Sequence, residues 1–235
     1  MKQKTALITG GTRGIGLAIA KTMHSHGFKV IITGTGEKSP GDLDFKYMPV
    51  DFSKSESLAD FLGNLKELKV DVLVNNAGIN MIAPYESIDE ADFDQIQRVN
   101  IKAPFQIIQT VLPYMKNNKW GRVINIASIF GKISKAHRAS YSASKFGLDG
   151  LTTALAVEVA EFGILANCVS PGFIHTDLTT KILGKEAIDK LEKEIPIKRL
   201  GQANEIAELV AFLCSEKNSY LTGQNIVIDG GFTRV

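Results

Sequence analysis

The amino-acid sequence predicts an α/β fold, a doubly wound parallel sheet of about seven strands with helices on both faces. Short β-branched runs recur along the chain, and most of them are apolar throughout, which is typical of strands buried on both faces. Stretches with helical spacing separate these runs. Strands that alternate with helices in this way form parallel sheets through right-handed crossovers.

The predicted elements follow one another in a regular order. The strand candidates are residues 5–9, 29–33, 46–50, 71–75, 122–127, 165–169 and 225–229. The helix candidates include residues 15–24, 55–68, 93–115, 141–162, 185–194 and 205–213. Because ligands of such sheets bind beyond the carboxyl ends of the strands, the residues that follow each strand are the first candidates for a functional site.

Length and composition favour one soluble globular domain that spans residues 1–235. Hydrophobic residues make up 44% and charged residues 22%, and no apolar run approaches membrane-spanning length. The N-terminus lacks the apolar core of a signal peptide, and a net charge of +2 does not indicate nucleic-acid binding. Cys168 and Cys214 lie in apolar stretches, which favours buried free thiols and a cytoplasmic location. None of the four histidines has partners at metal-ligand spacing, so no metal site is predicted.

One long irregular segment interrupts the alternation of strands and helices. Residues 171–185 follow a strand, open with Pro171-Gly172 and lead into the polar helix candidate at 185–194. This arrangement suits a mobile substrate lid over residues 174–198, where apolar and basic side chains are mixed. An ordinary surface excursion is the alternative.

A glycine-rich turn joins the first strand to the first helix. Its sequence is Thr9-Gly10-Gly11-Thr12-Arg13-Gly14-Ile15-Gly16. Glycines let the backbone approach a pyrophosphate, whose charge is favoured by the free amides at the start of a helix. The glycine spacing departs from the G-x-G-x-x-G fingerprint, and a turn that serves only close packing is the alternative.

The residues after the second strand favour NADP(H) over NAD(H). An NAD site usually has an acid about 20 residues after the glycine turn, where it binds the adenine ribose. Here Thr33-Gly34-Thr35-Gly36 separates the strand from Glu37. Arg13 can pair with a 2′-phosphate through two parallel hydrogen bonds, with Thr35 beside it. NAD(H) remains the alternative, because Glu37 can take the ribose-binding role if the loop folds back.

Three polar side chains form a candidate for acid/base chemistry. Tyr141 and Lys145 are four residues apart, so they share one face of a helix. A nearby ammonium favours the phenolate form of tyrosine and moves its pKa towards neutrality. Ser128 follows the strand candidate at 122–127, where its hydroxyl can hydrogen-bond a substrate oxygen. Tyr-x-x-x-Lys is common by chance, and its significance depends on the other motifs.

Four motifs occur in a fixed order along the chain. They are Thr9-Gly10-x-x-x-Gly14-Ile15-Gly16, Asn75-Asn76-Ala77-Gly78, Ser128 with Tyr141-x-x-x-Lys145, and Pro171-Gly172 with Thr176. In these motifs the chain resembles the short-chain dehydrogenase/reductase family over almost its whole length. Asn100 matches the fourth member of the family's catalytic tetrad. The resemblance implies a Rossmann-type fold, a nicotinamide cofactor, a homotetramer and no metal.

The resemblance also implies the roles of individual residues. Tyr141 would be the general acid in reduction and the base in oxidation, Lys145 would lower its pKa and hold the nicotinamide ribose, and Ser128 would polarise the carbonyl. Asn100 would bind a water that links Lys145 to a proton relay; an amide that satisfies the helix backbone is the alternative. The implied cofactor contacts, which include Tyr141 and Lys145, are Gly10, Thr12, Arg13, Gly14, Ile15, Gly16, Thr35, Asp51, Phe52, Asn76, Ala77, Gly78, Pro171, Gly172, Ile174 and Thr176.

The loop at 129–140 distinguishes this chain, since it has four basic or histidine residues and no acid. These are Lys132, Lys135, His137 and Arg138. Such a patch at the substrate mouth would attract a carboxylate, a phosphate or an acidic carrier such as acyl carrier protein; a solvated loop is the alternative.

The overall resemblance is to the 3-oxoacyl-acyl-carrier-protein reductase type, which implies NADP(H)-dependent interconversion of a carbonyl and a secondary alcohol. A sugar, polyol or hydroxy-acid dehydrogenase is the first alternative, because substrate choice depends on the lid and the loops. A non-catalytic nucleotide-sensing module is the second.

Overall fold

The computed structural model describes residues 3–39, 41, 45–176 and 184–235. Its strands are β1 (Thr5–Ile8), β2 (Lys29–Gly34), β3 (Lys46–Pro49), β4 (Val72–Asn75), β5 (Gly121–Ile126), β6 (Ile164–Pro171), β7 (Ile174–His175), β8 (Gly201–Gln202) and β9 (Asn225–Ile228). In this part of the chain, a seven-stranded sheet has the order β3-β2-β1-β4-β5-β6-β9, with every pairing parallel. The predicted doubly wound α/β fold is confirmed.

The central strands are largely apolar because both faces of the sheet are covered. Ala6 and Ile8 face one core, and Leu7 between them faces the other. The register of the parallel pairing places Ala6 opposite Val30 on one side and Val72 on the other, so like-facing residues of neighbouring strands share a core. Burial on both faces is why runs rich in Val and Ile predicted the sheet correctly.

Helices cover the two faces of the sheet. They are α1 (Gly14–Ser25), α2 (Ser55–Lys66), α3 (Glu90–Gln97), α4 (Ala103–Asn117), α5 (Ala139–Val159), α6 (Lys185–Glu194) and α7 (Ala203–Cys214). The buried residues of α1 and α7 belong to one core, and those of α2, α4 and α5 to the other. No helix in the described ranges is long and apolar enough to cross a membrane.

The helix predicted at 93–115 is divided in two by a π-helical turn. Residues Arg98–Lys102 form this turn between α3 and α4, and Pro104 begins the new helix. A π turn inserts an extra residue into the helical repeat and rotates the side chains that follow it, and such turns are frequent at functional sites. Asn100 lies within it. Periodic spacing did not predict this feature, because apolar residues on both sides of the turn still pack against the sheet.

A short parallel pair of strands lies outside the main sheet. Ile174 pairs with Gly201 and His175 with Gln202, so β7 and β8 join the two flanks of the segment predicted as a lid. Within that segment, α6 has no buried residue. Residues 177–183, including the apolar positions on which the lid hypothesis depends, lie outside the described residues. The lid at 174–198 therefore stays a prediction.

Candidate active site

The glycine turn after β1 is so close to its neighbours that one of its positions admits no side chain. A Cβ on Gly16 would lie 2.2 Å from the carbonyl oxygen of Gly10 and 2.5 Å from Nδ2 of Asn76. Gly10 and Gly14 have φ of 63° and 53°, a left-handed conformation that L side chains rarely adopt. The turn thus needs glycine for two separate reasons, steric at Gly16 and conformational at the other two positions.

The start of α1 offers free backbone amides to an anion. Arg13 is the N-cap residue and makes no side-chain capping bond, and no acid occupies the first turn. The amides at the head of a helix favour negative charge, and the side chain of the N-cap residue does not compete for them. Thr176 approaches the same turn, since its Cγ2 would lie 3.6 Å from a Cβ on Gly14. The loop after β6 and the glycine turn are therefore neighbours.

Thr9 and Asn76 fasten the glycine turn to the Asn-Asn-Ala-Gly motif after β4. The Thr9 hydroxyl accepts from the backbone amides of Asn76 (2.9 Å) and Ala77 (3.0 Å). In return, Nδ2 of Asn76 donates to the carbonyl oxygens of Thr9 (3.0 Å) and Gly10 (3.1 Å). No separate role of Thr9 was predicted from the sequence, although its position directly before the glycine turn could have indicated one. The Asn76 side chain therefore holds the glycine turn against the loop after β4.

The residues predicted to contact adenine and its ribose have different environments. Oδ1 of Asp51 accepts from the amide (3.0 Å) and hydroxyl (2.6 Å) of Ser53, and the Ser53 hydroxyl bond lowers the Asp51 pKa. The Phe52 ring packs in the core against Phe61, with ring centroids 5.8 Å apart, so only the backbone of Phe52 is available to a nucleotide. Thr35 and Arg13 are exposed.

Tyr47, which was not predicted from the sequence as a site residue, holds the loop that carries Thr35. The Tyr47 hydroxyl donates to the Gly36 carbonyl oxygen at 2.5 Å, which ties the loop after β2 to β3. Thr12 reaches the same place, because its Cγ2 would lie 2.7 Å from a Cβ on Gly34.

Asn100 is a buried clip between the π turn and the loop after β4. Its Oδ1 accepts from the Ile79 amide at 2.9 Å, and its Nδ2 donates to the Ile79 carbonyl at 2.9 Å and to the Ser144 hydroxyl at 3.0 Å. Both Nδ2 hydrogens are thus used, by the Ile79 carbonyl and by Ser144 on α5, while Oδ1 can accept a second bond. The backbone that Asn100 satisfies belongs to a loop rather than to a helix, and its water-binding role stays a prediction.

Lys145 is buried at the centre of the site. It is 4% exposed, and its Nζ donates to the Ile126 carbonyl at the end of β5 at 2.8 Å. Burial lowers the pKa of Lys145 to about 8. The Nζ lies 5.5 Å from the centroid of the Tyr141 ring and would be 3.5 Å from a Cβ on Gly78. Because Gly78 has no side chain, it leaves space next to the Lys145 ammonium.

Ser128 and Tyr141 meet where β5 and α5 converge. Ser128 is 8% exposed, and its hydroxyl accepts from the Phe130 amide at 3.1 Å. Burial raises the pKa of Tyr141, while hydrogen bonding with Ser128 and the positive charge of Arg138 lower it. Arg138, which was predicted only as part of the basic loop, is thus a nearby cation that lowers the pKa of Tyr141.

The loop after β6 returns the chain to the site. Pro171 ends β6, and Gly172 donates to the Ile228 carbonyl at 2.9 Å with its α-carbon packed against Asp229. Ile174 is 7% exposed, and its side chain anchors the loop to the core. In the described ranges, no group of three or more His, Cys, Asp or Glu residues is arranged to hold a metal ion.

The sheet order and the glycine turn at the head of α1, with polar side chains at the strand ends, define a dinucleotide-dependent oxidoreductase of the doubly wound class. Residues 10–233 match the family described as Enoyl-(Acyl carrier protein) reductase. The chain belongs to the short-chain dehydrogenase/reductase family. It is an enzyme that interconverts carbonyl and CH–OH groups.

Known proteins resemble the chain over nearly its full length. The 3-oxoacyl-acyl-carrier-protein reductase of Aquifex aeolicus is 38% identical over 98% of each chain. The acetoacetyl-CoA reductase of Cupriavidus necator is 37% identical, again over 98% of each chain. A gluconate 5-dehydrogenase of Burkholderia cenocepacia, solved with NADP and tartrate, has a TM-score of 0.91 at 28% identity and covers 100% of this chain and 97% of that chain.

Proposed function

We propose that the protein is an NADPH-dependent reductase that converts a 3-oxoacyl thioester to the 3-hydroxyacyl thioester. The observation that carries this proposal is the convergence of Ser128, Tyr141 and Lys145 at the carboxyl end of β5, beside the glycine turn. The relatives named as reductases of 3-oxoacyl-acyl-carrier-protein and acetoacetyl-CoA support the thioester as substrate.

The proton transfer follows from the side chains at the site. Ser128 orients the substrate carbonyl oxygen, and Tyr141 donates its phenolic proton to that oxygen as negative charge develops there. Because burial raises its pKa, Tyr141 keeps this proton at neutral pH and is an acid in the reductive direction. The bound cofactor supplies the hydride that reaches the carbonyl carbon, so that one hydride and one proton complete the alcohol. Lys145, held by the Ile126 carbonyl, places its ammonium next to the phenolate that remains.

The residues present fit the dinucleotide. The amides at the head of α1 have no capping side chain, which suits a pyrophosphate, and Gly78 leaves Lys145 open to a ribose. Arg13 and Thr35 are exposed where a 2′-phosphate would lie, and no carboxylate directly follows β2. These features and the NADP-bound relative support NADP(H); NAD(H) is the weaker candidate.

A second candidate substrate is a hydroxy acid or its oxo form. The observation in its favour is the similarity to a gluconate 5-dehydrogenase structure that also holds tartrate, a dicarboxylate. The two candidates share the chemistry at Tyr141 and differ only in the groups around the carbonyl.

We also propose a homotetramer in the cytoplasm with a substrate lid over residues 174–198. Support for assembly comes from α4 and α5, which leave large apolar side chains exposed. These are Phe105, Phe146 and, at 82% exposed, Val157. Light scattering of the purified protein tests the assembly state, and a monomer would contradict it.

A substrate panel tests the proposed function. Purified protein is mixed with NADPH or NADH and with acetoacetyl-CoA, keto sugars or simple ketones, and the loss of reduced cofactor is followed. We expect the highest kcat/KM with acetoacetyl-CoA and NADPH, and a fall of at least about 100-fold in Tyr141→Phe, which keeps the ring but has no proton to transfer. Tyr220→Phe is the matched control, since Tyr220 is 94% exposed. Near wild-type activity in Tyr141→Phe would overturn the mechanism, and cofactor binding without turnover of any substrate would favour a nucleotide sensor.

A further inference from the structure

The cations of the basic loop at 129–140 have four different environments. Lys132 pairs with Asp149 of α5 at 3.0 Å, so its charge is already compensated. His137 has φ of 67° and lines a small groove together with Asp89 and Asp92. Lys135 is exposed and has no ion pair in the part of the chain that the structure describes. Lys132 is therefore paired and Lys135 and His137 are exposed, whereas Arg138 is the partly buried cation of this loop.

Arg138 is a partly buried guanidinium without a carboxylate partner among the described residues. Its Cζ lies 5.5 Å from the centroid of the Phe130 ring. Its backbone carbonyl accepts from the Ser142 amide at 2.7 Å, which fixes the residue at the first turn of α5. At this distance the guanidinium is within cation–π range of the ring, and its in-plane N–H donors make no hydrogen bond to the described residues.

The guanidinium begins one helical turn from the phenol. Arg138 is the N-cap residue of α5 and Tyr141 lies three residues further on, in the first turn, so the two side chains lie on neighbouring positions of the same helix end. Its positive charge lowers the pKa of Tyr141. Burial lowers the pKa of Arg138 itself, and among the described residues no carboxylate pairs with it. A ligand carboxylate would supply that anion.

The other side of Phe130 is apolar. Its ring packs edge-on against Phe173, with centroids 6.3 Å apart, and Phe173 packs edge-on against Phe232 at 5.1 Å. Arg138 thus stands at one end of an aromatic row. A substrate whose carbonyl oxygen lies between Ser128 and Tyr141 would have a cation on one side and this row on the other.

We propose that Arg138 is a specificity-determining residue that binds a carboxylate carried by the substrate within a few bonds of the reacting carbonyl. This inference rests on the second candidate of the proposed function, an oxo acid reduced at Tyr141, and names the group that would position that substrate. The phosphates of a coenzyme A or carrier arm lie many bonds from the carbonyl and would not meet this requirement.

Three substrates that share the acetoacetyl group separate the sources of the charge. Acetoacetate has a carboxylate one methylene group away from the reacting carbonyl, ethyl acetoacetate has none, and acetoacetyl-CoA has only distant phosphates. In Arg138→Gln we expect kcat/KM with NADPH to fall about 10- to 100-fold for acetoacetate relative to ethyl acetoacetate, as the loss of a charge-assisted hydrogen bond predicts. Arg138→Lys keeps the charge without the planar fork and should lose less. Lys135→Gln, in the same loop, should leave the ratio unchanged.

Each other outcome overturns the proposal. Equal losses for all three substrates would assign Arg138 to the tuning of Tyr141, and a loss confined to acetoacetyl-CoA would assign it to the phosphates. Titration calorimetry of acetoacetate into enzyme saturated with NADP⁺ gives a readout without turnover; binding that is absent in wild type, or equal in Arg138→Gln, excludes the site. If Tyr141→Phe abolishes reduction of the neutral ester while Arg138→Gln leaves the selectivity ratio unchanged, the proposed reaction stands and only this inference fails.

Discussion

Replacing Lys145 with methionine should stabilise the folded protein while it removes the reaction. Burial lowers the pKa of Lys145 from its ordinary 10.5 to about 8. Since one pKa unit corresponds to ~1.4 kcal/mol, keeping this ammonium charged in the folded state at pH 7 costs roughly 3 kcal/mol. Methionine has a similar length and no charge, but it leaves the Ile126 carbonyl without its 2.8 Å donor, a loss of about 1 kcal/mol. We therefore expect Lys145→Met to unfold in urea with a free energy about 2 kcal/mol higher than wild type at pH 7.

The dependence of this difference on pH identifies its cause. Below the folded pKa of about 8, Lys145 is charged in both states and the full penalty is present. Between about 8 and 10.5 the folded state loses the proton while the unfolded state keeps it, so wild-type stability rises with pH. The advantage of Lys145→Met should therefore shrink by roughly 1.3 kcal/mol between pH 7 and pH 9.

Urea unfolding at both pH values measures the two free energies, and reductase activity is assayed alongside. Lys21→Met, on the outer face of α1 where the lysine is exposed, is the matched control and should change stability little at either pH. A variant less stable than wild type at pH 7, or an advantage independent of pH, would show that buried charge does not limit stability here.

Three further predictions test other parts of the site. Gly16→Ala should destabilise the fold by about 3 kcal/mol and abolish NADPH binding, because its Cβ would overlap the Gly10 carbonyl. Urea unfolding and fluorescence titration measure the two effects. Gly63→Ala is the control and should be neutral or stabilising, because Gly63 has open space around it on α2. Asn100→Ala should cost roughly 3 kcal/mol in urea unfolding and raise the KM for NADPH, because the amide and carbonyl of the partly buried loop residue Ile79 lose their partners. An unchanged KM would show that these hydrogen bonds do not contribute to cofactor binding. The kcat/KM for reduction should be level near neutral pH and fall as pH rises through about 8, where Lys145 loses its charge, while burial keeps Tyr141 protonated; a profile that rises with pH would contradict Tyr141 as the acid.

Most of the fold could be predicted because its signals are local. A strand such as Val72–Asn75 is buried on both faces, so its apolar composition reports the sheet directly. The helical spacing of Tyr141 and Lys145 likewise reports that they share a face of α5. The π turn at Arg98–Lys102 could not be predicted in this way, because an inserted residue leaves the local pattern of apolar residues nearly intact.

Part of the site could not be predicted, because it depends on contacts between segments that are distant in the sequence. Thr9 and Asn76 are 67 residues apart and fasten two motifs that the sequence treats separately. The ring of Phe52 packs in the core against Phe61, so the predicted contact of Phe52 with the cofactor would have to use its backbone. In the basic loop, only the approach of Asp149 separates Lys132 from the cations that remain available.

The sequence by itself determined the order of strands and helices, the glycine turn, and the types of side chain at the strand ends, because each depends on residues within one or two turns of the chain. The tertiary structure decided how charged these side chains are and which neighbours they have. Lys145 acquires a pKa of about 8 only when the Ile126 carbonyl and the core enclose it, and Arg138 becomes partly buried only when the folded loop brings it near Phe130. Electrostatic energy depends on burial and on distances through space, and neither quantity is written in the local spacing of residues.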